Sequence, residues 1–296
     1  MRKSVKTKMM WILGTVLAVV FVLLVSSGCY NRWARGVLRK RMSEVEREPN
    51  SGLLKGASPI RIERGREKAC LLLHGFMSSP VVCGELPRAL DRAGWDVHAP
   101  LLKGHGTDPR DLRNVSAEDW IRQCGEEFEK LKSRYNHVAV AGFSMGGALA
   151  VTVAAEHNPR ALVLINPYFA SKYRPYYLLP PRWWHALLRP FLDYAVAPGP
   201  DRAVSRPGGA AGVLRYRVLP TEVFGEVFVV ADRARKAGLG EVPLLMLCSE
   251  KDGTASIRAA KAFYRRARGP QQIETFERSK HILLLDYGRA EAIETI

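Results

Sequence analysis

The run Gly142-Phe143-Ser144-Met145-Gly146 constrains this chain more than any other stretch. It stands between an apolar segment, His137 to Ala141, that reads as a strand and a small-residue segment, Gly147 to Ala155, that reads as a helix. A serine with glycine two residues away on each side suits a tight strand-to-helix turn, because a side chain at either glycine would crowd it. Such a turn lifts the hydroxyl out of the fold. It also aims the free N–H groups of a helix start at whatever reacts there. A bare Gly-x-Ser-x-Gly is common by chance, and the flanking strand and helix give this one its weight.

The surrounding pattern is that of an α/β chain. With 296 residues, 47% of them hydrophobic, it can bury one large core or two small ones. Ala69 to Leu73 is a near-continuous apolar run, as expected of a strand covered on both faces. Val81 to Ala93 reads as a helix closed by Gly94, and Trp95 to Ala99 as the next strand. After the glycine-rich loop Lys103-Gly104-His105-Gly106, a helix runs from about Ser116 to Tyr135, with Ser116 as N-cap and Asp119 three residues on. Ala161 to Ile165, Val242 to Cys248 and Gln272 to Phe276 are further strands, and Arg289 to Ile296 begins a last helix. Periodicity breaks from Tyr168 to about Gly240, a stretch rich in proline and in aromatics such as Tyr173, Tyr176, Tyr177, Trp183, Trp184 and Phe191. It is too long for an ordinary loop. It reads as a small helical cap over the carboxyl ends of the strands, where ligands bind in such sheets.

Met9 to Ser27 is apolar and bracketed by charge: Arg2, Lys3, Lys6 and Lys8 before it, Arg32, Arg35, Arg39, Lys40 and Arg41 after it. Its core, Trp11 to Val25, is about fifteen residues long, short for a spanning helix and right for a signal. Ser26-Ser27-Gly28-Cys29 resembles a bacterial lipobox, with Cys29 as the residue acylated. The segment reads as a cleaved signal, a lipoprotein signal or a permanent anchor. The last two place the chain at a membrane, expected to be that of a bacterial cell envelope. Much of the net charge of +16 flanks this segment, which suits anionic headgroups. No aromatic-basic module points to nucleic acid as a partner. Residues 1–30 are thus expected to be the signal or anchor and 31–66 a linker, with a short edge strand at Ile60 to Glu63. The globular domain takes 67–296, with the cap at about 168–240. Cys70 and Cys248 read as small core hydrophobes, Cys83 and Cys124 fall on helices, and no cysteine spacing suggests a metal site or an obligatory disulfide.

A serine hydroxyl is a poor nucleophile until a base takes its proton, so Ser144 calls for a histidine. In this arrangement the acid and then the histidine follow the serine, on loops after later strands. His157 lies too far along the next helix and His185 falls in the cap, whereas His281 follows the last strand. The acid belongs after the strand ending at Cys248. Asp252, followed by Gly253 with its free backbone, is preferred to Glu250, and Asp286 reads instead as a cap or ion-pair partner of the last helix. A developing oxyanion needs two donors. These are the N–H of Met145 at the helix start and that of Phe76 in the loop His74-Gly75-Phe76-Met77, where Gly75 allows close approach. His74 is expected to hydrogen-bond within that loop.

Five stretches together resemble the small α/β-hydrolases, specifically the bacterial carboxylesterase and monoacylglycerol-lipase group. They are His74-Gly75-Phe76, Ala99-Pro100-Leu101-Leu102-Lys103-Gly104-His105-Gly106-Thr107, Glu118-Asp119-Trp120, the serine turn, and Ser279-Lys280-His281. The resemblance runs from about Lys68 to Ile296. It implies an α/β-hydrolase fold, a mostly parallel sheet flanked by helices with a helical cap inserted before the acid-bearing strand. It also implies Ser144, Asp252 and His281 as catalytic triad, Phe76 and Met145 as oxyanion donors, and no metal or organic cofactor. The implied activity is cleavage of short- to medium-chain acyl esters or monoacylglycerols. An acyltransferase using the same triad, or a non-enzymatic membrane-attached fold binding a lipid or protein, are the alternatives. The substrate-binding residues are expected in the cap, and the oligomeric state is not legible.

Overall fold

The computed structural model of the chain describes residues 2–173, 178–197, 200–211, 213 and 216–296. Tyr176 and Tyr177 of the insertion lie outside them. A long helix α1 (Arg2–Glu44) comes first. Then follow β1 (Ile60–Ile62), β2 (Lys68–Leu73), α2 (Leu86–Arg92), β3 (Asp96–Ala99), α3 (Ala117–Lys132), β4 (His137–Phe143), α4 (Met145–His157) and β5 (Leu162–Ile165). The insertion holds α5 (Pro181–Leu188), β6 (Tyr194–Val196) and β7 (Val218–Pro220). The chain ends through α6 (Glu222–Lys236), β8 (Leu244–Ser249), α7 (Ile257–Tyr264), β9 (Gln271–Phe276) and α8 (Arg289–Thr295).

Among the described residues the main sheet has seven strands in the order β1-β3-β2-β4-β5-β8-β9, parallel except for β1 at the edge. Alternate residues of a strand face opposite sides. Leu71 and Leu73 of β2 accordingly join a core under α3, α4 and α6, while Cys70 and Leu72 join a second core under α2 and α8. Both faces being covered, the central strands are apolar along their length. The strand order reverses at β2, which has β3 on one side and β4 on the other. A crevice opens at such a reversal, outside the carboxyl ends of the strands. Here Leu73 pairs with Gly142, so the loop after β2 and the turn after β4 leave the sheet side by side.

Helix α3 starts at a capping box: Ser116 Oγ accepts from Asp119 N and Asp119 Oδ2 accepts from Ser116 N. Its Trp120, Cys124, Phe128 and Leu131 recur at helical spacing and are buried. In α4 every residue from Met145 to Ala154 is buried, and small side chains let it lie close to the sheet.

Four features differ from the expectations. The segment 81–93 is not one helix. A single 3-10 turn, Pro80–Cys83, ends at Gly84 (φ 56), and α2 begins only at Leu86. Gly84 packs so closely that a Cβ would lie 2.9 Å from Leu284 O. Residues 31–44 of the expected linker are helical and form the last third of α1. Beyond them Leu54 and Ala57 are buried, and Leu54 N donates to Gly106 O. The insertion is not purely helical, since β6 and β7 form a two-stranded antiparallel sheet, while α6 packs with α3 and α4 in the core layer. Helix α7, capped by Ser256, was not foreseen.

Candidate active site

Ser144 sits at φ 56, ψ −119, a conformation a non-glycine residue adopts only where its surroundings force it. Two bonds pin the turn: Ser144 N donates to Ile165 O, and Tyr168 N donates to Ser144 O. The flanking glycines are required by space. A Cβ on Gly142 would lie 2.2 Å from Gly146 O, and one on Gly146 would lie 2.2 Å from Leu73 O. Gly75 is less tightly placed, its Cβ position being 3.1 Å from Ser144 Cβ.

The turn brings Ser144 to His281, and His281 to Asp252. His281 Nε2 lies 2.9 Å from Ser144 Oγ, and His281 Nδ1 lies 2.7 Å from Asp252 Oδ2. Asp252 Oδ1 accepts from Thr254 N (2.7 Å) and Ala255 N (2.9 Å), so each oxygen has a separate task. All three side chains are buried. Glu250 is exposed, and its N–H donates to Phe276 O. His157 Nδ1 is instead 2.7 Å from Glu129 Oε1, and His185 Nε2 is 2.9 Å from Thr221 O.

Phe76 and Met145 stand on the two adjacent loops. Met145 opens α4, so its N–H is one of the free donors of that helix. Its neighbour in the other loop is braced by rings: Phe76 meets His105, Trp120 and Phe224 edge-on at 5.5–6.3 Å. Met77, at φ 67, accepts from Tyr216 N of the insertion. His74 Nδ1–H donates to Gly75 O (2.9 Å) and its Nε2 accepts from Leu102 N (3.0 Å), which fixes a neutral tautomer within the loop. Burial pulls its pKa down to about 3, and the neighbouring His105 adds to this. Burial likewise takes His105 down to about 4.

These two imidazoles make stability depend on pH. Unfolded, each takes up a proton as pH falls through about 6.5; folded, neither does until about 4 and 3. The stabilisation is therefore complete above pH 6.5 and is lost as pH falls below it. The slope approaches two protons, about 2.7 kcal/mol per pH unit, between roughly pH 6 and 4. Urea unfolding midpoints measured from pH 7.5 to 4.5 should show this fall, and the double variant His74→Gln, His105→Phe should flatten it.

An apolar cavity of about 140 Å³ lies over Ser144 and His281, lined by Met77, Val82, Phe143, Val213, Phe224 and Ile282 among others. Val213 comes from the insertion and Phe224 from α6, so the segment between β5 and β8 forms part of the cavity wall. Among the described residues no group of three or more His, Cys, Asp or Glu is placed to hold a metal ion.

Two residues that sequence reasoning missed hold the histidine loop. Asn166, at φ 42 directly after β5, donates from Nδ2 to His281 O (2.8 Å) and Ser249 Oγ (2.9 Å) and accepts from Ser249 N at Oδ1 (2.6 Å). Asp286 is neither helix cap nor ion-pair partner. Its buried carboxylate accepts backbone N–H bonds from Ser205, Arg206, Lys280 and Tyr287, at 2.7–2.9 Å. An Asn between a buried strand and Pro167 was the one available hint for the first; nothing local marked the second.

A family model described as serine aminopeptidase, S33 (Hydrolase_4) matches residues 65–206. The chain is 39% identical over 107 residues to a thermostable monoacylglycerol lipase of Bacillus sp. (strain H-257), covering 36% of this chain and 42% of that one. It is 38% identical over 89 residues to a carboxylesterase of Bacillus subtilis (strain 168), covering 30% and 36% respectively. The match thus spans less than half the length of either relative. A solved structure of one of the metagenome-derived lipolytic enzymes LipS and LipT superposes with a TM-score of 0.71 at 24% identity, over 82% of this chain and 96% of the other. The fold is the α/β-hydrolase fold, and the chain resembles carboxylesterases and monoacylglycerol lipases within it.

Proposed function

We propose that this chain is a membrane-attached serine hydrolase cleaving carboxylic esters, with short- to medium-chain acyl esters or monoacylglycerols as substrates. The observation that carries the reading is the hydrogen-bonded line from Asp252 through His281 to Ser144, at the floor of an apolar cavity. Ser144 Oγ attacks the ester carbonyl while His281 Nε2 takes its proton. Asp252 keeps the other ring nitrogen protonated and stabilises the imidazolium. The oxyanion of the tetrahedral intermediate takes the N–H groups of Phe76 and Met145, each worth about 3 kcal/mol to the transition state. His281 returns the proton to the departing alcohol, and a water activated in the same way then releases the acid from Ser144.

The apolar part of α1 supports the membrane attachment. Leu13, Leu17, Phe21 and Leu24 are all more than half exposed, and such a helix has no stable place in water. Cys29 is exposed within the same helix, so a spanning anchor or an acylated cysteine would each hold the chain at the bilayer. The aminopeptidase description of the matching family model favours a second reading, cleavage of amides; the named relatives favour esters.

A fluorophosphonate probe tests the nucleophile, and p-nitrophenyl esters of increasing chain length with amino-acid p-nitroanilides test the bond cleaved. Labelling of the wild type but not of Ser144→Ala, with ester turnover dominant, is the expected result. A folded wild type that takes no label would end the hydrolase reading, and acyl products formed with added alcohols would convert it to a transferase.

A further inference from the structure

Helix α1 does not stop where its apolar run stops. It continues unbroken to Glu44, and one stripe on it, Asn31, Ala34, Arg35 and Leu38, recurs at the spacing of a single helix face. The whole stripe is bound to the insertion. Asn31 Nδ2 donates to Phe191 O (3.0 Å), and Asn31 Oδ1 accepts from Asp193 N (2.9 Å), so the buried amide clamps one backbone stretch with both of its ends. Arg35 pairs with Asp193 at 3.1 Å. Ala34 and Leu38 pack with Tyr194 of β6 and Val218 of β7.

The clamp fixes a height. At 1.5 Å per residue, Asn31 lies about 6 Å along the helix beyond Ser27, the end of the apolar run. The polar layer on each side of a bilayer is about 5–8 Å deep. A membrane that holds the run to its end therefore has Asn31, and Phe191 bonded to it, in its headgroup layer. The cap surface beside Phe191 is apolar and open. Leu178, Leu179, Trp183, Leu187, Leu188 and Phe191 are all exposed, Leu178 by 79% and Trp183 by 62%. None of the residues of α5 is buried. Exposed Arg32 stands at the same level of α1, and Arg35 and Arg39 follow about one and two turns further out. A second cavity, about 240 Å³, opens between Pro181 and Arg182 at the start of α5 and the rings of Tyr168 and Phe228. Those two rings also line the cavity over Ser144.

We propose that α1 is a rigid strut holding this cap face in the headgroup layer of an anionic bilayer, so that lipid esters pass from the membrane by Tyr168 and Phe228 to Ser144. This rests on the membrane-attached hydrolase reading. A simple tether needs only the apolar run, whereas a strut also needs unbroken helix and the Asn31 clamp. Arg32 on α1 matches the anionic headgroups, Arg39 lies within reach of their field, and the apolar cap residues match the boundary beneath them.

Full-length protein is reconstituted in phosphatidylcholine–phosphatidylglycerol vesicles carrying a long-chain monoacylglycerol, with p-nitrophenyl butyrate as a water-soluble second substrate. Asn31→Ala, and separately a Gly-Gly-Ser-Gly-Gly-Ser insertion after Cys29 that breaks the helix but spares the clamp, should each slow vesicle hydrolysis about tenfold. The double variant Trp183→Ser, Leu187→Ser should do the same. All three should keep the soluble-ester rate within about twofold, which also reports that they fold. The proposal is overturned if the insertion and the double variant hydrolyse vesicle substrate as fast as wild type. It is equally overturned if the face seals a second copy of the chain, seen as a dimer in detergent that the double variant abolishes. A wild type that cleaves neither substrate would remove the hydrolase reading itself.

Discussion

Exchanging Asp252 for asparagine is expected to lower kcat for ester cleavage by about 10⁴-fold, about 5.4 kcal/mol of transition-state stabilisation. The structure gives the reason atom by atom. Oδ1 accepts two backbone N–H bonds, from Thr254 and Ala255, and Oδ2 faces His281 Nδ1. An asparagine must keep its single oxygen on the two N–H groups, because turning its NH₂ toward them would set donors against donors. Its NH₂ then donates to Nδ1, the ring proton moves to Nε2, and the nitrogen facing Ser144 no longer accepts. The side chain is nearly isosteric, so thermal unfolding should shift little while kcat collapses. Glu250→Gln serves as the control and should change kcat by less than about twofold, since that side chain is exposed. A fall of less than tenfold for Asp252→Asn would take the orienting role away from Asp252.

How legible all this was depended on how local the cause lay. The central strands were legible because burial on both faces makes them short apolar runs, and the serine turn because its glycines are required by atoms within four residues or in the adjoining strand. His281 was legible from chain order alone. Asp252 was chosen on a weaker ground, the freedom of Gly253. That freedom is unused: Gly253 does not take a positive φ, and the loop is held by N–H bonds to the carboxylate itself. Other features have distant causes. The break of the 81–93 segment at Gly84 answers to Leu284, some two hundred residues on. The ties of Asp286 join the histidine loop to Ser205 and Arg206 of the insertion. The stripe of Asn31, Ala34 and Leu38 was hidden by the arginines and lysines around it, whose charge read as a solvated linker. The strands β6 and β7 are three residues each, too short for any alternation to show.

Replacing Gly146 by alanine should cost about 3 kcal/mol or more in stability, and about 100-fold in kcat for whatever protein folds. The added Cβ would lie 2.2 Å from Leu73 O and 2.5 Å from His74 O. Both are backbone atoms, so no side chain can rotate away, and strand β2 or the start of α4 must move. Those are the two elements that carry Phe76 and Met145, so any shift that relieves the clash also separates the two N–H groups proposed for the oxyanion. Gly253→Ala, where a Cβ meets nothing within 4 Å, should be neutral to about 0.5 kcal/mol although it adjoins Asp252, the acid proposed for the triad. Gly147→Ala should fall between them, its closest contacts being 3.1 Å to Gly142 O and to the Pro167 ring. Urea midpoints and kcat measured on the three variants check the order. Equal losses at Gly146 and Gly253 would mean that generic flexibility, not the contact between β2 and α4, sets the geometry around Ser144.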